Sequence, residues 1–261
     1  MRLATWNVNS IGARLPRLVE WLDLAKPDVL CLQETKCTDA AFPATAIKEA
    51  GYDVATNGDG AWNGVAVVSR VGIEDVTRGL DDQPPFPADA TAPEARAITA
   101  TCDGIRVCSV YVPNGRDVGA DHYTYKLAWL AALQQTATRE LAAHDRYAVL
   151  GDFNIAPTDA DVWDPAAFVG LTHVTEPERA AYRSLIDLGL VDLEARPLKG
   201  DHPYTYWDYR AGAFHKGMGM RIDLVLASRS LASAVTDAYV DRDARKGKGP
   251  SDHAPVVVDL D

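Results

Sequence analysis

The chain has 261 residues, 47% of them hydrophobic, enough to bury a sizeable core at a length that is routinely one layered α/β domain. Lys and Arg number 26 against 37 Asp and Glu, a formal charge of −11, which excludes a protein that coats nucleic acid with a globally basic surface. Any polyanion is therefore expected to be held locally. No stretch is apolar for long enough to span a membrane, and no secretory signal opens the sequence, so Met1 reads as the start of the mature protein.

In chain order, Leu3 to Trp6 is a strand-like run ending at Asn7. Leu15, Leu18, Val19 and Leu22 recur at helical spacing until Lys26-Pro27 stops them, and Val29 to Leu32 is a buried strand leading into Gln33-Glu34. Gly64 to Ser69 is a further strand, and the proline-rich segment Asp82 to Pro93 is loop. Around Asp103-Gly104, Ile98 to Val112 reads as a hairpin with a two-residue turn, pairing Cys102 with Ile105 and Cys108 with Thr99. Tyr125 to Ala143 is an amphipathic helix. Tyr147 to Leu150 is a strand leading to Asp152, and Glu176 to Leu188 a helix with Pro177 in its first turn. Strands follow at Tyr204 to Trp207, Ile222 to Ala227, Val235 to Val240 and Pro255 to Asp259. No linker interrupts them, so residues 1–261 read as one domain of α+β class. The expected architecture is two mainly antiparallel sheets packed face to face with helices on the outside. A doubly wound parallel sheet competes, weakened by the hairpin and by the missing Gly-rich loop after the first strand.

Cys31, Cys37, Cys102 and Cys108 form no CxxC pair and no zinc spacing with His. The hairpin register keeps Cys102 and Cys108 too far apart to bridge, and free thiols suit the cytoplasm.

Chemistry gathers at the strand ends: Asn7, Gln33-Glu34, Gly151-Asp152-Phe153-Asn154 and Ser251-Asp252-His253. Alone, each has a plainer explanation as a turn residue or a strand-opening cap. Together, carboxylates, carboxamides and an imidazole are what holds a divalent metal against a phosphate. Cleaving a phosphodiester requires neutralising a pentavalent phosphorane, activating water and helping the leaving oxygen depart. Glu34 offers a hard oxygen to Mg²⁺ or Mn²⁺, and Asn7 can ligate the metal or orient its water. Asp152 is the partner of the attacking water or the acid for the leaving group, and both roles stay open. Asn154 and Tyr111 can donate to the non-bridging oxygens, and a protonated His253 would add positive charge.

Trp6-Asn7-Val8-Asn9, Leu32-Gln33-Glu34-Thr35-Lys36, Tyr111-Val112-Pro113-Asn114-Gly115, Gly151-Asp152-Phe153-Asn154-Ile155-Ala156-Pro157, Arg221-Ile222-Asp223 and Ser251-Asp252-His253-Ala254-Pro255 resemble, in order and spacing, the motifs of the exonuclease III family of apurinic/apyrimidinic endonucleases. The likeness runs from Ala4 to about Val257. The wider superfamily, with deoxyribonuclease I, sphingomyelinases and inositol-polyphosphate phosphatases, shares the Asn, Glu, Asp-x-Asn and Ser-Asp-His elements, which give the chemistry and leave the substrate open. The resemblance implies a four-layered α/β sandwich. It implies a catalytic set of Tyr111, Asp152, Asn154, Asp223 and His253, with Asp223 holding the His253 ring. It adds Asp252 to a metal set of Asn7, Glu34, Asp152, Asn154, Asp252 and His253.

For substrate, it implies Lys36, Asn114, Tyr206, Arg210, Met220, Arg221 and Ile222, with Tyr206, Met220 and Ile222 lining a slot for a baseless sugar. Met220 stands where some relatives have Trp or Leu, which leaves the balance of abasic incision and exonuclease action open. Arg116, Lys126, Lys216, Arg245, Lys246 and Lys248 join the candidates for backbone phosphates. The implied partner is double-stranded DNA with abasic sites or blocked 3′ ends, cut 5′ to the lesion by a monomer using Mg²⁺ or Mn²⁺. Alternatives are a phosphoesterase for small or lipid phosphates and a catalytically silent nucleic-acid-binding relative. Trp207 reads as core, and His122, His144, His173 and His202 as solvated or structural.

Overall fold

In the computed structural model, which describes residues 1–261, the chain begins β1 (Arg2–Asn7), α1 (Ile11–Ala25), β2 (Val29–Gln33), α2 (Ala44–Glu49), β3 (Asp53–Asn57), β4 (Val65–Ser69) and β5 (Glu74–Arg78). It continues β6 (Ala97–Cys102), β7 (Ile105–Tyr111), α3 (Asp121–Ala143), β8 (Tyr147–Asp152), α4 (Glu176–Asp187), β9 (Leu190–Asp192) and β10 (Arg196–Pro197). It closes with α5 (Ala213–Lys216), β11 (Asp223–Ser228), α6 (Arg229–Ala232), β12 (Val235–Val240) and β13 (Val256–Leu260). One sheet has the order β10-β12-β13-β1-β2-β4-β3 and the other β5-β6-β7-β8-β11-β9. Most neighbours are antiparallel. The exceptions are β1 with β2, β7 with β8, and the short β10 with β12. Parallel neighbours need a crossover, and α1 and α3 supply it for the first two.

Alternation along the strands creates the layers. Leu3, Val29, Cys31 and Val258 of the first sheet meet Ile98, Val107, Leu150 and Val225 of the second in the central core. The opposite residues point outward: Trp6, Leu30 and Leu32 pack on Leu18, Trp21 and Leu22 of α1. Cys108, Val149 and Leu224 pack on Trp129, Leu130 and Leu133 of α3. The result is helix, sheet, sheet, helix.

The hairpin forms with Thr99 opposite Cys108 and Cys102 opposite Ile105, and all four cysteines are free. Helix α1 ends as expected, with Lys26 in the left-handed region at φ 49 before Pro27. Helix α4 is opened by a reciprocal cap between Thr175 and Glu178. Tyr204 to Trp207, expected as a strand, joins neither sheet. Its backbone is shared between two segments, with Thr205 N and Tyr206 N donating to Met220 O and Trp207 N to Asp252 O. Strands β3 and β5 carried no signal because they lie at sheet edges, β5 exposed throughout, and so lack apolar alternation. No helix is long and apolar enough to cross a membrane.

Candidate active site

The parallel pairs finish at one end of the sandwich. In the first sheet Asn7 lies opposite Gln33, and Glu34 follows. In the second, Tyr111 lies opposite Asp152 and Asp152 opposite Asp223, so three functional side chains form one row across β7, β8 and β11. The loop before β13 is tied across both. Ser251 Oγ donates to Asn7 O at 2.7 Å, His253 N donates to Ser251 Oγ at 3.2 Å, and Trp6 Nε1 donates to His253 O at 3.1 Å. Glu34 and Asn154 sit at φ 52 and 50, where residues other than glycine are held only by their surroundings. At Gly151 a Cβ would come within 2.0 Å of Val110 O, so only glycine lets β8 deliver Asp152 beside Tyr111.

Asn7 Nδ2 donates to Glu34 Oε1 and to Asp152 Oδ2, both at 2.9 Å. Glu34, Asp152 and His253 bring potential ligand atoms within 4.8 Å of one another. His253 Nδ1 is 2.7 Å from Asp223 Oδ2, and Nε2 is 3.8 Å from Asp152 Oδ2. Asp223 N is itself held by Thr205 Oγ1 at 3.1 Å. Asn154 N donates to Asp152 Oδ1 at 2.9 Å, while its side-chain amide is fixed by Val112 O and by Asn114 Nδ2. Lys36 Nζ pairs with Glu34 at 2.7 Å and also donates to Asn9 Oδ1. Asp252 Oδ1 accepts from Asn9 Nδ2 at 3.0 Å. Asn9, absent from the candidate set, thus links Lys36 to Asp252.

Burial opposes a charge on His253, but Asp223 and Asp152 outweigh it and lift the imidazole to about 10. It stands as a cation that donates, and an imidazolium has no lone pair for a metal, so His253 leaves the expected metal set and keeps only its role as a donor. Burial, with Asp223 and Glu34 close by, pushes Asp152 up to about 7 against the pull of His253. Burial acts against the charge of Glu34 too, yet Lys36 and the Asn7 amide hold its carboxyl below the ordinary range. Burial, then Glu34, raises the Tyr111 hydroxyl well above its usual value, keeping it a donor. Three carboxylates thus crowd a buried space. Hard oxygens at Glu34 and Asp152 fit a divalent cation of the Mg²⁺ type, whereas Asn7 turns Nδ2 to both carboxylates and its Oδ1 to Asn9 N, so it aligns them.

Beside this centre is a cavity of about 320 Å³ walled by Trp163, Phe168, His173, Tyr206 and Met220. Tyr206 and Met220 were expected there, but Ile222, expected with them, does not line the cavity: it is buried behind the wall, packed with Met220, Ala156 and Val162. Trp163, Phe168 and His173 were not, because the turn carrying them has no periodicity that ties it to the site. His173, read as solvated or structural, adopts φ 79 and places Nδ1 2.6 Å from Asn154 O. At Gly219 a Cβ would approach Trp207 Nε1 to 2.5 Å, so a bare backbone is needed for Met220 to reach the wall. Trp207 is core, as expected.

Arg210 lies at the cavity rim, paired with Asp208, and Arg116, Lys216, Lys246 and Lys248 are exposed. Three phosphate candidates need correction. Arg221 is buried between Asp161 and Asp192, and Arg245 is buried and donates to Ser251 O and Trp207 O. Lys126 is 0% exposed, paired with Glu178, and donates to Asn154 O at 2.6 Å and Asn114 O at 3.2 Å. Charged groups this deep brace the site's loops, since buried cations persist only when ion-paired, as Lys126 and Arg221 are, or hydrogen-bonded to carbonyls, as Arg245 is.

A fold of two stacked sheets with carboxylates, amides and an imidazolium at one end defines a divalent-metal phosphoesterase. The chain belongs to the Endonuclease/Exonuclease/phosphatase family, whose model matches residues 4–253. Within it the relatives are exonuclease III-type nucleases. Exodeoxyribonuclease III of Haemophilus influenzae is 30% identical over 98% of each chain. The 3′-5′ exonuclease NExo of Neisseria meningitidis is 40% identical, with a TM-score of 0.93 over 100% of both chains, and has also been solved as a 3′ phosphatase bound to product DNA hairpin. An AP endonuclease of Archaeoglobus fulgidus is 38% identical with a TM-score of 0.91, covering 100% of this chain and 99% of its own.

Proposed function

We propose that the chain is a DNA repair nuclease that uses Mg²⁺ or Mn²⁺ to hydrolyse the phosphodiester 5′ to an abasic site and to trim 3′ ends. The observation that carries this is the cluster of Asn7, Glu34, Asp152 and His253 beside an aromatic-walled cavity that suits a baseless sugar. Glu34 and Asp152, aligned by Asn7 Nδ2, would hold the cation, which supplies Lewis-acid stabilisation of the phosphorane when bound. Asp152, buried and bonded to Asn7 and to Asn154 N, takes the proton of the attacking water. The His253 imidazolium and the Tyr111 hydroxyl would donate to the oxygens where charge develops, beside the Asn154 amide, one of whose protons is already given to Val112 O. Asp223 acts through His253 by fixing its ring.

That last role has a measurable consequence. Asp223→Ala and His253→Ala are each expected to lower kcat about a hundredfold, and the double variant little further. Fully additive losses in single-turnover incision would remove the coupling.

The function itself is tested on a duplex with one abasic analogue, in Mg²⁺ or excess chelator, with undamaged duplex as control. Incision beside the lesion in Mg²⁺ alone is expected. No metal-dependent cutting of that duplex or of a duplex with a blocked 3′ end sinks the repair assignment.

A second balance of activities, 3′-end trimming over internal incision, is favoured by His173. An imidazole in the cavity wall at φ 79, a conformation natural to glycine, narrows the space for an internal sugar still tethered on both sides. His173→Gly relieves that strain and widens the wall. The expected result is a rise of about tenfold or more in abasic incision relative to release of 3′-phosphate, and an unchanged ratio rules the role out.

A further inference from the structure

Beyond Trp207 the wall of the sugar cavity runs through Asp208, Arg210 and Ala211, while Tyr209 between them does not line the space. Asp208 and Arg210 pair with each other, and Ala211 and Gly212 follow at φ 55 and 67. The Tyr209 hydroxyl makes every hydrogen bond by which residues 208–212 reach another segment: it accepts from Arg14 Nη2 at 2.7 Å and donates to Pro250 O at 2.8 Å. Arg14 Nη2 also reaches Pro250 O at 3.4 Å, and Arg245 lies over the Tyr209 ring at 5.4 Å. One phenol thus joins the cavity wall, the first turn of α1 just after Asn7 and Asn9, and the loop that runs into Ser251-Asp252-His253.

His253 does not depend on that phenol, because Asp223, Ser251 and Trp6 hold its ring and backbone. What the bond fixes is the distance between the outer wall and the reacting groups. A loose wall would let a bound sugar settle in many orientations, few of them in line for attack. We propose that Tyr209 is a positioning residue that sets specificity: through Pro250 and Arg14 it locks the outer wall of the sugar cavity, so that substrates whose sugar fills the cavity are cut faster than the reacting groups alone would cut them. It touches no reacting atom. The assignment rests on the DNA nuclease reading and extends it to how the sugar beyond the cleaved bond is oriented. A terminal 3′-phosphate has no such sugar and gains nothing from the lock.

The test compares two substrates on the full chain in Mg²⁺: a duplex with one abasic analogue, which places a sugar in the cavity, and a duplex with a 3′-phosphate end, which leaves it empty. Tyr209→Phe keeps the ring beneath Arg245 and removes the hydroxyl. Its single-turnover rate at saturating enzyme should fall about tenfold on the abasic duplex and stay within about twofold on the 3′-phosphate. Arg14→Met should shift the ratio of the two rates the same way, and the double variant should shift it no further than the larger single change, because both act on one bond. Equal losses on the two substrates, fully additive shifts, or no loss on the abasic duplex would overturn the lock. Tyr209 is 50% exposed, so Tyr209→Phe should leave the melting temperature unchanged, and a fall in Tm accompanied by equal losses would mark a merely structural residue. Wild-type chain that cuts neither substrate defeats the nuclease reading, whereas one that releases 3′-phosphate and leaves the abasic duplex whole defeats the lock alone.

Discussion

Asp152→Asn should lower single-turnover incision by about a thousandfold while the protein still folds and binds DNA. The reason is geometric. Asn keeps the shape and one of the two acceptors, so it retains the bond from either Asn7 Nδ2 or Asn154 N, but it can neither take a proton nor offer the cation an anionic oxygen. Binding should survive because removing a negative charge from a site that faces phosphate does not repel the substrate. Nor should the fold suffer. Asp152 is 1% exposed among Glu34 and Asp223, and burial with those neighbours pushes its carboxyl up to about 7, so its charged form is a cost carried for activity. The metal-free variant is expected to melt no lower than wild type, and a loss of incision under tenfold would take Asp152 out of the reaction centre.

Lys126→Met should destabilise the protein by about 3–5 kcal/mol, because it strands Glu178 as an unpaired charge in the core. For a chain of this size that is a drop of about 10 °C in Tm. Glu178 would keep donors from Thr172, His173 N and Thr175, but those hydroxyls and amides do not replace an ammonium. Adding Glu178→Gln removes the stranded charge, and the double variant should recover part of the lost Tm, not all, because the Gln NH2 meets the backbone N–H of either His173 or Thr175. Its kcat should nonetheless stay about tenfold low, because Asn154 O and Asn114 O have lost the donor that braces them. A double variant as unstable as the single one would show that the charge is not what matters. Full recovery of kcat would show that Lys126 does not position the site.

The sandwich was legible because its signals are local. Val29 to Leu32 and Tyr147 to Leu150 are short apolar runs, Asp103-Gly104 marks a hairpin, and Lys26-Pro27 ends a helix. Edge strands β3 and β5 escaped because exposed strands need no apolar alternation. Asn7, Glu34, Asp152 and His253 were legible because each stands at or within three residues of a strand end inside a distinctive motif. Lys126 was misread for an instructive reason. It was counted with the basic groups for backbone phosphates, and nothing nearby in sequence announces Glu178, 52 positions on, as its partner.

The order of residues alone determined which segments become strands, where they stop, and which polar groups wait at their ends, since periodicity and chain breakers act over a few residues. Tertiary packing alone decided that Tyr111, Asp152 and Asp223 share one row, that His253 is a cation, that Trp163, Phe168 and His173 wall a cavity, and that Lys126, Arg221 and Arg245 are spent inside the protein. Register, burial and charge pairing depend on residues far apart in the chain, and the free energy of each is set by what the fold brings within a few ångströms.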